Sequence, residues 1–132
     1  MNKRRQGRKF NRKRDQRRAL MKGLAVNLIE NGRIKTTLAK ARELRPYIEK
    51  MITKARTGET SSLRLLLKFL PKKSAFKLLK NIAPKFKDVP GGYTRIIKAG
   101  QRKSDGAAIG IIEFAYKVIE KNETSEKSTK TK

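Results

Sequence analysis

Residues 93–116 read YTRIIKAGQRKSDGAAIGIIEFAY. Two runs rich in Ile, Tyr, Thr and Phe, Tyr93–Ala99 and Ala107–Tyr116, flank a polar stretch from Gly100 to Gly106. β-Branched and aromatic side chains suit a pleated backbone, and a polar loop bounded by glycines suits a reversal, so the pattern predicts an antiparallel hairpin. In the second run Ile109, Ile111, Ile112 and Phe114 put apolar groups on both faces. That predicts a central strand, or one whose second face meets a partner. Val89-Pro90-Gly91-Gly92 breaks the chain just before the hairpin.

Upstream the period changes from two to about 3.6. Leu20, Leu24 and Leu28, with Met21, Ala25 and Ile29 beside them, predict a helix over 14–30 that Asn31-Gly32 stops. Arg33-Ile34-Lys35-Thr36 is a short β-prone piece, and Thr37 can cap the next helix, over 38–57. Leu38, Ala41, Leu44, Ile48, Met51, Ile52 and Ala55 form its apolar face. Pro46 lies inside this pattern and predicts a kink or a division, since it removes a backbone donor. Gly58 closes the helix, and Thr60, Ser61 and Ser62 offer caps for a third, over 62–70, ended by Pro71. Ser74 is the expected cap of a fourth, over 75–83, ended by Pro84. The order is helix, strand, three helices, two strands. It predicts an α+β two-layer domain, a small three-stranded mixed sheet with helices on one side. From Asn122 onward nothing is apolar, so 117–132 is expected to be a disordered polar tail.

Composition narrows the function. The 132 residues hold 36 Lys+Arg against 11 Asp+Glu, a net charge of +25, and no His, Cys or Trp. Without Cys there is no disulfide, thiolate zinc site or thiol nucleophile; without His the usual general base and the commonest metal ligand are missing. Asp15, Asp88, Asp105 and Glu113 form no paired-carboxylate motif. No enzyme, metal, cofactor or small-molecule substrate is expected. No run approaches the roughly 20 apolar residues that span a bilayer, and no apolar segment follows the basic N-terminus, so neither a membrane partner nor a secretory signal is expected. A cytosolic location is the default.

Same-sign charge at this density repels itself unless a polyanion neutralises it, and a pI near 11 points first to nucleic acid. The charge is uneven. Residues 1–18 net +9 and hold seven of the 14 Arg, whereas 19–32 net zero. Arginine's planar fork suits phosphates and base edges. Between Met1 and Asp15 the one large apolar residue is Phe10. Residues 1–13 therefore read as a basic arm that orders on a polyanion, and 14–116 as a single globular domain.

Three blocks carry a resemblance. The first is Gly91-Gly92-Tyr93-Thr94-Arg95-Ile96, followed by Lys98, Gly100, Arg102 and Asp105. The second is Arg33-Ile34-Lys35-Thr36-Thr37-Leu38-Ala39-Lys40-Ala41-Arg42-Glu43-Leu44, continuing to Glu49-Lys50 and Ile52-Thr53. The third is Arg12, then Arg17, Ala19 and Leu20. In this order they resemble the bacterial large-subunit ribosomal protein seventeen family over roughly residues 1–116. The chain departs from the family pattern at Met1-Asn2-Lys3 (usually Met-Arg-His), at Gln16 (usually His) and at Ser104-Asp105 (usually Gly-Asp). The resemblance implies a structural, non-catalytic protein of the large subunit. It would bind 23S ribosomal RNA on the solvent side near the nascent-chain exit, beside other ribosomal proteins, in a cytoplasmic ribosome, with an organellar ribosome as the secondary reading.

The expected RNA contacts follow. Lys3, Arg4, Arg5, Arg8, Lys9, Arg12 and Arg14 would thread between RNA helices, with Arg17 and Arg18 behind them. Lys35, Thr36, Thr37 and Lys40 lie at a helix N-terminus, which favours phosphate; Thr37 reads as a cap, a phosphate contact or both. Tyr93, Thr94 and Arg95 open a strand after two glycines; Tyr93 reads as a base-stacking ring or as a core residue. Lys98 and Arg102 read as phosphate contacts, and Asp105 as a turn residue or the partner of Arg102. A DNA-binding or nucleoid-associated protein shares the charge, but a strand follows Asn31-Gly32 where a helix-turn-helix needs a second helix.

Overall fold

The computed structural model describes residues 7–116; the start of the arm and the expected polar tail lie outside the described residues. Helix α1 (Arg14–Asn31) leads through strand β1 (Arg33–Thr37) directly into α2 (Leu38–Ala55). Two shorter helices, α3 (Thr60–Leu67) and α4 (Lys72–Lys77), follow, and the hairpin β2 (Thr94–Gln101) and β3 (Ala108–Phe114) closes the domain. The α+β class and the order of elements are those the sequence predicts.

The sheet order is β1-β3-β2, and both pairings are antiparallel. This corrects the expected mixed sheet. Strands β1 and β2 run in the same direction, yet β3 lies between them, so no parallel ladder forms. The central position of β3 is the one its two apolar faces imply.

Gly32 ends α1 in the left-handed conformation (φ 72°), and its N–H donates to the Leu28 carbonyl at 2.7 Å. Glycine takes this conformation without the steric penalty of a side chain, which is why Asn31-Gly32 reads as a stop. Pro46 neither ends nor divides α2, correcting the alternative of a divided helix. Its side is exposed, while Ala41, Leu44, Ile48 and Ile52 on both flanks are fully buried as one stripe. Each large apolar side chain in that stripe contributes roughly 1.5–3 kcal/mol, more than one lost backbone hydrogen bond removes.

Ser74 does not cap the fourth helix. Helix α4 starts earlier, after Pro71, and Ser74 is buried inside it, its Oγ donating to Glu30 Oε1 at 3.3 Å. Beyond α4 the chain widens into a π-helical turn, Leu78–Ile82, and then tightens into a 3-10 turn, Ala83–Phe86. These changes of pitch keep Leu78, Ile82, Ala83 and Phe86 against the core. Thr37 occupies the cap position of α2, but its hydroxyl makes no capping bond. Glu59, not one of the following hydroxyl residues, takes that position for α3.

One face of the sheet meets the helices. Ile34, Ile112 and Ile96 form a cross-strand row there, with Thr94 and Phe114 in the next row. They pack with Leu28 and Ile29 of α1, the α2 stripe, and Phe86 and Tyr93. Gly110 allows the close approach of α2. A Cβ at this position would lie 3.1 Å from Leu38 Cδ1 and 3.4 Å from Leu38 Cα. Gly110→Val is expected to overpack this contact and to lower unfolding stability by about 1–3 kcal/mol. The measurement is a denaturant titration of the full chain; an unchanged midpoint at constant slope would show that α2 does not bear on the strand.

Candidate nucleic-acid interface

The second face of the sheet is open, and its chemistry follows from strand parity. Residues directly opposite in antiparallel strands share a face, so Arg33, Glu113 and Arg95 form one row across all three strands. Glu113 is 4% exposed. Its Oε2 lies 3.4 Å from Arg33 Nε, and its Oε1 accepts from Arg95 Nε at 2.5 Å and also meets Arg95 Nη2. Two guanidinium groups thus share one buried carboxylate, and both remain about half exposed. The next row is Lys35, Ile111 and Ile97, with Lys35 and Ile97 exposed.

Lys98 and the loop beyond it extend the charge. Lys98 is exposed beside Gly110, at the end of the regular pairing. Arg102 forms a fork on Asp105, Nε to Oδ1 at 2.9 Å and Nη2 to Oδ2 at 2.5 Å. Asp105 also accepts the Ala107 N–H at 3.1 Å. Both readings of Asp105 are therefore correct at once: it shapes the turn and pairs with Arg102. The Arg102 hydrogen bonds, assisted by the Ala107 N–H, hold its carboxyl down to about 2.

At the N-terminus of α2, Thr36, Thr37 and Lys40 are half-buried, and α2 has no acidic residue in its first turn. The uncapped amides and the positive end of the helix dipole leave a place for an anion. In the arm, Lys3, Arg4 and Arg5 lie outside the described residues. Arg8, Lys9, Arg12, Arg14 and Arg18 are exposed, and Arg17 is half-buried. Lys9 to Arg12 make a tight turn: Phe10 and Asn11 both have positive φ (54° and 49°), and the Arg12 N–H donates to the Lys9 carbonyl at 3.2 Å. Left-handed backbone is unfavourable for Phe. Its ring, however, is partly buried, which offsets part of that strain.

Two residues leave the expected contact set. Tyr93 is 2% exposed, its ring 5.2 Å from that of Phe86, and its hydroxyl accepts from Arg56 Nη1 at 2.7 Å. Its ring is enclosed, so it is a core residue and no base-stacking platform. Thr94 is equally buried; its N–H and its Oγ1 donate to Glu49 Oε1 at 3.3 and 2.8 Å. Glycines 91 and 92 therefore deliver the strand onto α2. Glu49, Thr53 and Arg56 on one side and Tyr93-Thr94 on the other form one contact between two blocks that lie far apart in sequence. Glu113 joins the interface although the expected set omits it. Its signal in the sequence is that it is the one charged residue in the apolar run 107–116. Among the described residues, no group of three or more Asp or Glu could hold a metal ion, and no helix is long and apolar enough to cross a membrane.

The depressed carboxyl fixes a pH effect. Asp105 titrates below its unfolded value, so its contribution to the folded loop is complete above about 4 and is lost as pH falls through about 2. NMR titration of the Asp105 carboxyl is expected to give about 2 in the native chain and to return to the ordinary carboxylate range in Arg102→Gln. A native carboxyl titrating in the ordinary range would show that the fork does not persist in solution.

Comparison with known proteins completes the assignment. The family model described as Ribosomal protein L17 matches residues 20–115. The large ribosomal subunit protein bL17 of Gemmatimonas aurantiaca is 51% identical over 115 residues, 86% of this chain and 98% of that protein. Those of Bdellovibrio bacteriovorus and of Campylobacter jejuni are 47% and 49% identical, covering 84% and 81% of this chain and 62% and 92% of theirs. The matched span holds all but the first turns of α1 and the whole sheet, and the chain belongs to the ribosomal protein L17 family, whose relatives are structural ribosomal proteins and not enzymes.

Proposed function

We propose that this chain is a structural constituent of the large ribosomal subunit that binds 23S ribosomal RNA. The observation that carries the reading is the exposure of cations both on the sheet and hairpin and on the arm and its root. Arg33, Lys35 and Arg95 lie on the open sheet face, Lys98 and Arg102 at the far end of the hairpin, and Arg8, Lys9, Arg12, Arg14, Arg17 and Arg18 on the arm and its root. Neutralising phosphates with these groups releases counterions, and this supplies affinity without reading sequence. Folded RNA hides its major groove, so phosphate, 2′-OH and shape contacts carry recognition. Lys3, Arg4 and Arg5 extend the arm in sequence. Thr36, Thr37 and Lys40 offer a phosphate the N-terminus of α2. Neighbouring large-subunit proteins near the nascent-chain exit fit the family's setting as further partners.

DNA binding is the weaker alternative. Strand β1 separates α1 from α2, so the two helices do not form the helix-turn-helix that enters a major groove.

Tagged protein is expected to co-sediment with the large ribosomal subunit at moderate salt. Protein that stays at the top of the gradient, or that shifts with DNase but not RNase, would overturn the reading. Deleting residues 1–13 is expected to weaken RNA binding and to flatten its salt dependence, by about 0.7–0.9 in log–log slope for each phosphate that the arm neutralises. The circular dichroism spectrum should keep its helical content. An unchanged slope would show that the arm neutralises no phosphate.

A further inference from the structure

Arm and domain flank a cleft that shares four cations with the proposed phosphate contacts, Arg8, Lys9, Arg17 and Arg18, but whose aromatic rings and carboxylate those contacts do not explain. It has a volume of about 790 Å³, within the roughly 300–1,000 Å³ range of small-ligand sites. Its cations come from three places: Arg8 and Lys9 of the arm, Arg17, Arg18 and Lys22 of α1, and Lys68 after α3. Between them stand three aromatic side chains, Phe10, Tyr47 and Phe69. Phe69 is 41% exposed, a large apolar ring left in water.

Helical period explains how α2 builds one wall. Glu43, Tyr47, Lys50 and Lys54 follow at spacings of three and four, so they form one column along the helix. A second hollow, lined by Tyr47, Lys50, Lys54 and Phe69, continues the cleft along that column. Lys54 Nζ lies 5.3 Å from the centre of the Phe69 ring and covers part of it. Partial burial raises the Tyr47 hydroxyl above its ordinary range, so it stays a neutral donor.

Glu43 is the anomaly. It is the cleft's one carboxylate, and it makes no ion pair among the described residues despite six cations lining the same space. A site built only for phosphate gains nothing from a carboxylate, which repels it. A nucleotide has both ends: a phosphate for the cations, and a base whose π-face stacks on aromatic rings. The Watson–Crick edge of guanine carries adjacent N–H donors, which a carboxylate accepts as a pair.

We infer that this cleft takes one unpaired nucleotide of the bound RNA, a guanosine, with its base against Tyr47 and Phe69, its donor edge on Glu43 and its phosphate on the α1 cations. The inference rests on the RNA-binding reading above. A base inside a continuous A-form stem is stacked and paired and cannot enter; a bulged or splayed base can. A second copy of this chain, at +25, is repelled by the same cations.

The test uses the full chain and three RNA probes: a continuous stem-loop, the same stem with one unpaired guanosine, and the same stem with one unpaired uridine. Fluorescence anisotropy at fixed salt is expected to favour the guanosine bulge over the continuous stem by roughly tenfold, the scale of one base stacked on a protein ring. Tyr47→Leu and, at the exposed position, Phe69→Ala are each expected to remove most of that preference while keeping the affinity for the continuous stem and its salt slope. Glu43→Gln is expected to bring the guanosine and uridine bulges close to equality. Equal binding of bulged and continuous stems by the native chain overturns the nucleotide site and leaves the RNA-binding reading standing. Binding to none of the probes overturns that reading itself. A Glu-rich peptide containing Phe that displaces the bulged RNA more readily than the continuous stem would make the cleft a protein-binding site instead.

Discussion

The double pairing of β3 is the constraint on which the rest of the domain depends. Strands β1 and β2 are not paired with each other; each has β3 as its one ladder partner. A slip of one residue in β3 would turn Ile112 and Phe114 out of the core and Glu113 into it. Three local features hold the register. Ile112 and Phe114 face the helices, Gly110 admits Leu38, and Glu113 finds a guanidinium on each flanking strand. The carboxylate is almost wholly removed from water, and such a group is costly to bury without partners. The correct register supplies two.

The acidic side chains otherwise serve a chain with too much positive charge. Glu30 accepts from Ser74 and lies within 4 Å of Lys73 and Lys77, joining α1 to α4. Glu49 pairs with Arg45 and takes both donors of Thr94, joining α2 to β2. Asp105 steadies the hairpin loop. Each of these carboxylates holds an element in place. The remaining cations stay on the arm, on the outer helix faces and on the open sheet, where a polyanion can reach them.

Much of the fold was legible because burial writes itself into period. The α2 stripe, the stop at Gly32 and the apolar run of β3 each depend on residue spacing alone, and their elements fall within a few residues of expectation. The misplaced features depend on tertiary partners. Nothing local distinguishes a Ser74 that caps a helix from one that reaches Glu30 on another. Nothing local says that two glycines bring Tyr93 onto Arg56, since the same glycines would serve a close approach to RNA. Pro46 reads as a breaker until the buried residues on both sides of it are weighed together. For the candidate interface, composition and chain position sufficed for the exposed cations. The Glu43–Tyr47 column and its meeting with Phe69 required the packing of α3 against α2, which no single stretch of sequence encodes.

The position of β3 along the chain also sets the course of folding. Residues paired across β1 and β3, such as Arg33 and Glu113, are separated by most of the described chain. The β2–β3 pairing is a local hairpin, whereas the β1–β3 pairing joins distant segments, and ordering so long a loop comes before the contacts that reward it. During synthesis, which runs from the N-terminus, α1 and α2 can coil while β1 is still without its neighbour. The sheet is therefore completed only once 108–114 has been made, when β3 pairs with β2 in the local hairpin and with β1 across the length of the domain.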